Sequence, residues 1–207
     1  MKKNSALKLK RNSFGTKKLS FIDLFGVWLS KRALSKQLKG MSSINALELG
    51  CGYAAKNLIA IEDKCKKITG IDFNLSAEIK KNPKFIGLEC SIDDGLKRLY
   101  KDKFDLIMII SVLEHLTDPE ETLFKCRNLL NENGILLINV PTWNGKIFLE
   151  FSAFRLGLSP REEMEDHKMY YNKRDLWPIL IKSGFLPSKI KMHYHKFHLN
   201  LFSIAKK

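Results

Sequence analysis

The sequence predicts an α/β protein built on a doubly wound, mostly parallel sheet of seven strands. Three observations carry that expectation. From Ile44 onward, short apolar runs alternate with segments of helical character. The runs are nearly continuous in apolar residues, as strands covered on both faces are. The first of them leads straight into a glycine turn that opens a helix, "LELGCGYAAKNL". Right-handed crossovers between such strands bring ligands to their carboxyl ends.

The first 40 residues are expected to form a basic arm with cap helices. Lys2, Lys3, Lys8, Lys10, Arg11, Lys17, Lys18, Lys31, Arg32, Lys36 and Lys39 stand against one acid, Asp23. Phe21, Leu24, Phe25, Trp28, Leu29, Leu34 and Leu38 recur near helical spacing. An arm of this charge attracts anions, whether substrate phosphates, nucleic acid or acidic lipid, or stands solvated without a partner.

Residues 41–207 are expected to be one domain, in keeping with a chain of 207 residues. Strands are expected at "INALEL", "KITGID", "KFIGL", "FDLIMII" and "GILLINV", with helices at "AAKNLIAIEDK", "LSAEIKK", "DDGLKRLY" and "DPEETLFKCRNLLNE". The last of these helices is marked at both ends: Thr117 or Asp118 caps it, Pro119 suits its first turn, and Gly134 follows it. An aromatic-rich stretch at about 141–171 follows the fifth strand and is expected to form a lid over the acceptor site. "KRDLWPILIKSGF" is a further helix stopped by Gly184, and "KIKMHYHKFHLNLFSIA" supplies the last two strands.

The apolar fraction of 44% and charged fraction of 28% are those of a soluble globular chain. Cys51, Cys65, Cys90 and Cys126 form no CxxC pair, which argues against a zinc ribbon or a redox motif. "FDLIMIISVL" and "GILLINV" are too short to span a bilayer. "SFIDLFGVWLSKRA" faintly resembles a signal peptide, but Asp23 interrupts it and no small-residue cleavage site is evident. A cytoplasmic protein is expected.

Gly50-x-Gly52-x-x-Ala55 fits a permissive dinucleotide fingerprint, and Asp72 stands 20 residues after Gly52, placed for ribose hydroxyls. A nicotinamide dehydrogenase is therefore one reading. Charge argues against it. A dinucleotide brings a pyrophosphate to the helix N-terminus, and Glu48 just before the turn opposes it. S-adenosylmethionine carries no phosphate, and its ammonium favours a nearby acid.

The segments "LELGCGYA", "ITGIDFN", "FDLIMIISVLEHLTDPEETL", "LLNENGILLINVPTWNG" and "DHKMYYNKRDLWPILIKSGF" run in family order from Ile44 to Phe185. In them the chain resembles the class I S-adenosylmethionine-dependent methyltransferases, in the broad group called type 11 or type 12. The resemblance implies a Rossmann-like sheet with S-adenosyl-L-methionine as cofactor. It implies that Glu48, Gly50 and Gly52 surround the methionine part of the donor, that Asp72 holds the ribose hydroxyls and that Phe73 packs near the adenine. The adenine edge is expected at Ser91, Ile92 or Asp93, because "LECSIDDGL" has serine where the family usually has an acid. Ala54 is a second departure, standing where a GxGxG form has glycine.

The resemblance also puts "SVLEHL" beside the donor, with Ser111, Glu114 and His115 as its polar residues. Methyl transfer to a hydroxyl or amine gains from a general base. His115 is the first candidate for that role and His167 the second, expected over the acceptor pocket with Tyr170 and Tyr171. His115 is equally well read as a structural histidine, and a lone histidine such as His167 is more often structural. Glu114 and His115 lack an evident third partner, so no metal is expected. His193, His195 and His198 have a weaker claim.

The function expected is methyl transfer to a small-molecule acceptor at oxygen or nitrogen, in glycan, lipid or secondary-metabolite assembly. The lysine-rich arm and aromatic lid suit an amphiphilic or phosphorylated acceptor. The alternatives are an RNA methyltransferase using the basic arm, disfavoured by the lack of any RNA-binding module, and a non-catalytic donor-binding partner subunit.

Overall fold

The computed structural model describes residues 38–147 and 167–207. The arm expected over the first 40 residues, up to residue 37, and the centre of the expected lid, including Phe148, Phe151 and Phe154, lie outside the described residues.

Seven strands form one sheet in the order β3-β2-β1-β4-β5-β7-β6. They are β1 (Ile44–Leu49), β2 (Cys65–Asp72), β3 (Phe85–Glu89), β4 (Phe104–Ile110), β5 (Leu130–Pro141), β6 (Ile190–His195) and β7 (Asn200–Lys206). The first five pair in parallel, and β7 runs antiparallel to both its neighbours. Four α-helices lie wholly within the described residues: α1 (Lys56–Ile59), α2 (Ile92–Arg98), α3 (Pro119–Leu129) and α4 (Lys173–Lys182).

The apolar runs divide their side chains between two cores, as the strand period of two requires. Leu47, Leu49, Ile107, Ile109, Leu136 and Ile138 join a core completed by Leu96 of α2, Leu123 and Cys126 of α3, and Leu176 and Leu180 of α4. Ala46, Leu106, Met108, Ile135 and Leu137 point the other way, against Leu58 of α1 and Leu38, Ile61 and Ile79. That is why these strands carry no polar alternation.

Helix signals hold best where capping chemistry is complete. Asp118 Oδ1 accepts a 2.9 Å hydrogen bond from the Glu121 amide, and Pro119 opens α3. Asn172 and Asp175 form a reciprocal capping box on α4, which carries Pro178 inside it. Gly184, at φ +92°, follows that helix in the left-handed region.

Three expected helices differ. The segment at 54–64 breaks into α1 and a 3₁₀ turn, Glu62–Lys64, with Ile61 leaving helical φ at −121° as it buries its side chain. The segment at 75–81 yields only the 3₁₀ turn Ile79–Lys81. α3 stops at Leu129, well before Gly134, because Leu130 already pairs with Phe104 of β4. The register shift between Phe104 and Leu106 accommodates the extra residues, and Asn133 takes φ +67°. Gly134 is thus a strand residue.

Among the described residues, no helix is long and apolar enough to cross a membrane.

Ile107 is fully buried in the central strand β4 and belongs to the larger core. Ile107→Ala should cost about 2–5 kcal/mol through lost burial and a residual cavity. Chemical denaturation, read as the shift in midpoint at constant slope, measures it.

Candidate active site at the switch between β1 and β4

Strand order reverses between β1 and β4: from β1 the chain builds outward to β2 and β3, then returns to begin the other half at β4. Crevices at the carboxyl ends of strands open at such a reversal. The loops after β1, β2, β4 and β5 converge there.

The turn after β1 depends on backbone that only glycine adopts freely. Gly50 and Gly52 have φ of +65° and +74°. A Cβ on Gly50 would collide with Cγ2 of Val112, so the turn lies directly on the loop after β4. The Gly50 amide donates to the Ile71 carbonyl at 2.8 Å, tying the turn to the end of β2. Ala55, in the third fingerprint place, is fully buried and takes φ +46°, a left-handed conformation that is strained for alanine. Ser111, at the end of β4, is also left-handed, with φ +53°.

Asp72 closes the turn from β2. Its Oδ2 accepts from the Gly52 amide at 2.8 Å, and its Oδ1 from the Phe73 amide at 2.7 Å. Phe73 stands 50% exposed beside it. Glu48 lies at 0% exposure, with Oε1 accepting a 2.7 Å bond from Nδ2 of Asn57 on α1. Burial pushes its carboxyl up to about 8, with a further contribution from the Asp72 charge. Ser91 caps α2: its hydroxyl accepts from the Asp94 amide at 3.2 Å and donates to Asp94 Oδ2 at 2.7 Å. Ile92 begins that helix half-buried, and Asp93 is exposed, 3.6 Å from Lys125. Ser111 is exposed, and its amide donates to the Asn139 carbonyl at 2.8 Å.

The second half of the site is a row of rings. His115 and His167 stack at 4.6 Å, Tyr170 lies 5.3 Å from His167, and Trp143 lies 5.6 Å from Tyr170. His167 arrives there because its segment is pinned to the loop after β4. The Lys168 amide donates to the Glu114 carbonyl at 2.9 Å, and the Lys168 ammonium donates to the Thr117 hydroxyl. The Tyr171 amide donates to the Pro141 carbonyl at 3.1 Å.

Glu114, 1% exposed, sits beside this pair, with Oε1 3.9 Å from His167 Nε2. Burial pushes its carboxyl up to about 8. The sequence offered no third partner for Glu114 and His115; the fold supplies His167. One ligand atom from each lies within 4.8 Å of the others, a donor set able to hold a metal ion.

Tyr171 differs from expectation. It is buried in the larger core, and its hydroxyl donates to the Leu113 carbonyl at 3.5 Å, so it braces the loop from beneath. Burial pushes that hydroxyl up to about 12. His193 and His195 lie on β6 against Phe202, and His198 stacks on Tyr194. Sequence reading passed over Asn57 and Thr142. The Thr142 hydroxyl donates to the His198 carbonyl at 2.6 Å, joining the end of β5 to the β6–β7 turn. Neither residue carries a motif signal, because each acts through a contact made only on folding.

Two measurements follow from this geometry. Gly50→Ala forces both a left-handed alanine and a clash with Val112, and should lower the melting temperature by several degrees. For Glu114, the unfolded carboxyl releases its proton near 4.5 while the folded one retains it to about 8. The stability this group contributes is full below about 4.5 and is lost as pH rises towards 8. Glu114→Gln should therefore gain on the native protein across that window, as read by melting temperature against pH.

The comparisons with known proteins agree with this arrangement. A family profile described as a methyltransferase domain matches residues 23–186. The chain is 30% identical over 119 residues to the ubiquinone biosynthesis O-methyltransferase of Histophilus somni, covering 51% of this chain and 48% of that protein. It spans about half the length of the curated relatives it matches. A SAM dependent methyltransferase from Archaeoglobus fulgidus shares the fold, with a TM-score of 0.61, 17% identity, and coverage of 91% of this chain and 100% of that one. So does the N-methyltransferase NodS from Bradyrhizobium japonicum, solved with S-adenosyl-l-homocysteine, with a TM-score of 0.59, 17% identity and coverage of 96% and 93%. A switch-point glycine turn, a sheet in the order 3-2-1-4-5-7-6 and a profile match over most of the length place this chain in the methyltransferase-domain family.

Proposed function

We propose that the protein is a cytoplasmic S-adenosylmethionine-dependent methyltransferase acting on a hydroxyl of a small-molecule acceptor. The observation that carries the donor is the pair of acids at the glycine turn. Glu48 lies just before the turn to which a dinucleotide would bring its pyrophosphate, and Asp72, at the ribose position of either ligand, opposes ionisation of Glu48 by like charge. A ligand with a cationic amino-acid end relieves that opposition, whereas a pyrophosphate adds to it.

The residues fit such a donor. Glu48 Oε2 is buried without a hydrogen-bond partner among the described residues, an acceptor that an ammonium would satisfy. Asp72 accepts one backbone bond on each oxygen and retains lone pairs for ribose hydroxyls. Phe73 offers an exposed ring to the adenine face, and Ser91, Ile92 and Asp93 stand at the start of α2 for its edge. Gly50 and Gly52 bring backbone close to the methionine portion, and Ser111 lies at the end of the adjoining strand. S-adenosylmethionine, when bound, supplies an electrophilic methyl group on its sulfonium.

The chain's part in transfer is to place the acceptor and hold its proton. Positioning within about 3 Å of the methyl supplies much of the acceleration. His115 and His167, stacked at 4.6 Å beside buried Glu114, supply the base: one ring takes the hydroxyl proton, and the other, 3.9 Å from the Glu114 carboxyl, holds the pair in place. Trp143 and Tyr170 extend an aromatic wall from that pair. O-methyltransferases among the sequence relatives support oxygen as the acceptor atom. Four free thiols among the described residues suit a reducing compartment.

Incubation with a tritium-labelled methyl donor and a panel of hydroxylated small molecules tests the reading. Label should pass to a small molecule; label confined to RNA, or transferred to nothing, would contradict it. His115→Ala should lower kcat by roughly 10²–10⁴-fold while donor affinity is kept. Asp72→Ala should weaken donor binding by roughly 10- to 100-fold, the range of hydrogen bonds to a charged group.

A further inference from the structure

Glu48 occupies the penultimate position of β1, at 0% exposure, and the chain returns to it nine residues later through Asn57. The Asn57 amide donates to Oε1 at 2.7 Å, while Oε2 has no hydrogen-bond partner among the described residues. The groups facing this carboxyl give it little help. Across the sheet β2 presents Gly70 and β4 presents Met108, neither of which titrates. Asp72 at the end of β2 adds negative charge, and the Cys51 thiol in the turn is pushed up by burial and by the two acids. On α1, the Asn57 side chain and the Leu58 backbone are the groups that favour the charged form.

We propose that Asn57 is a positioning residue for the donor: its amide holds Glu48 by Oε1 and leaves Oε2 for the ammonium of the donor's amino-acid end. This rests on the reading of Glu48 as the ammonium's partner. The bond spans the whole glycine turn, from the strand before it to the helix after it, so it also fixes where the carboxyl stands relative to Gly50 and Gly52. α1 is only four residues long and begins at a left-handed Ala55 with no side-chain cap. The contact to Glu48 is thus a principal anchor of its first turn. Without the amide, the neutral carboxyl persists to higher pH, and a ligand with an ammonium needs a higher pH to bind.

Calorimetry on the full chain tests this with two probes. S-adenosylhomocysteine carries the amino-acid end; 5′-methylthioadenosine shares the nucleoside and lacks it. Asn57→Leu should weaken S-adenosylhomocysteine by about tenfold or more and move the rise of its affinity to higher pH. Binding of 5′-methylthioadenosine should change less than about twofold. Asn57→Gln, which keeps an amide, should restore part of the loss and serves in place of the leucine variant if that does not fold: affinity closer to the native value than Asn57→Ala shows is the expected result. Equal weakening of both probes would mean a merely structural role and would overturn the proposal, as would unchanged S-adenosylhomocysteine affinity and pH profile. Glu48→Gln separates the two levels. If it leaves S-adenosylhomocysteine binding intact, the ammonium reading itself fails. If it weakens that ligand selectively while Asn57→Leu does not, only the assignment to Asn57 fails.

Discussion

The buried carboxyl of Glu48 is the constraint around which the ligand end of the sheet is arranged. It sits near the end of β1, beside the central strand and away from water, with one oxygen held by Asn57 and the other unmatched among the described residues. Such a group is costly to bury unless something completes it. The turn above it cannot relax to provide that partner. Gly50 lies on Val112, Gly52 is bonded to Asp72, and Ala55 is fixed in a strained left-handed conformation. Two loops, from β1 and β4, are thereby locked together at the switch point.

The same locking carries across to the proposed chemistry. Val112 is the residue between strained Ser111 and the loop that presents Glu114 and His115. The segment that begins at His167 is bonded to this loop through Lys168 and braced from the core through Tyr171. His167 is therefore positioned by backbone contacts that do not involve its own ring. The proposed donor turn and the proposed base thus share one support, which suits a reaction governed by placement of two ligands.

Much of this was legible in the sequence. β1 and β4 fall where their apolar runs predict, since continuous runs of four to eight residues flanked by turn signals leave little choice in a doubly wound sheet. α3 and α4 were legible at their starts, where Asp118, Pro119 and the capping pair Asn172–Asp175 act locally. Its end misled for α3: Gly134 reads as a helix stop, yet pairing of Leu130 with Phe104 draws the chain into the sheet first. Tertiary pairing overrode a local signal. The site divides in the same way. The meeting of Glu48, Gly50, Gly52 and Asp72 at one turn was readable from their motif spacing, whereas the Asn57 contact forms only when the turn folds back, and Tyr171 and the meeting of His167 with Glu114 arise from contacts between distant segments.

Charge at the turn, on the proposed reading, selects a cationic amino-acid donor over a pyrophosphate. Side-by-side calorimetry of the native protein with S-adenosylhomocysteine and with NAD tests it most directly. S-adenosylhomocysteine should bind with a one-site isotherm, and NAD should give no saturable heat over the same concentrations. Binding of NAD with equal or greater affinity would contradict the account.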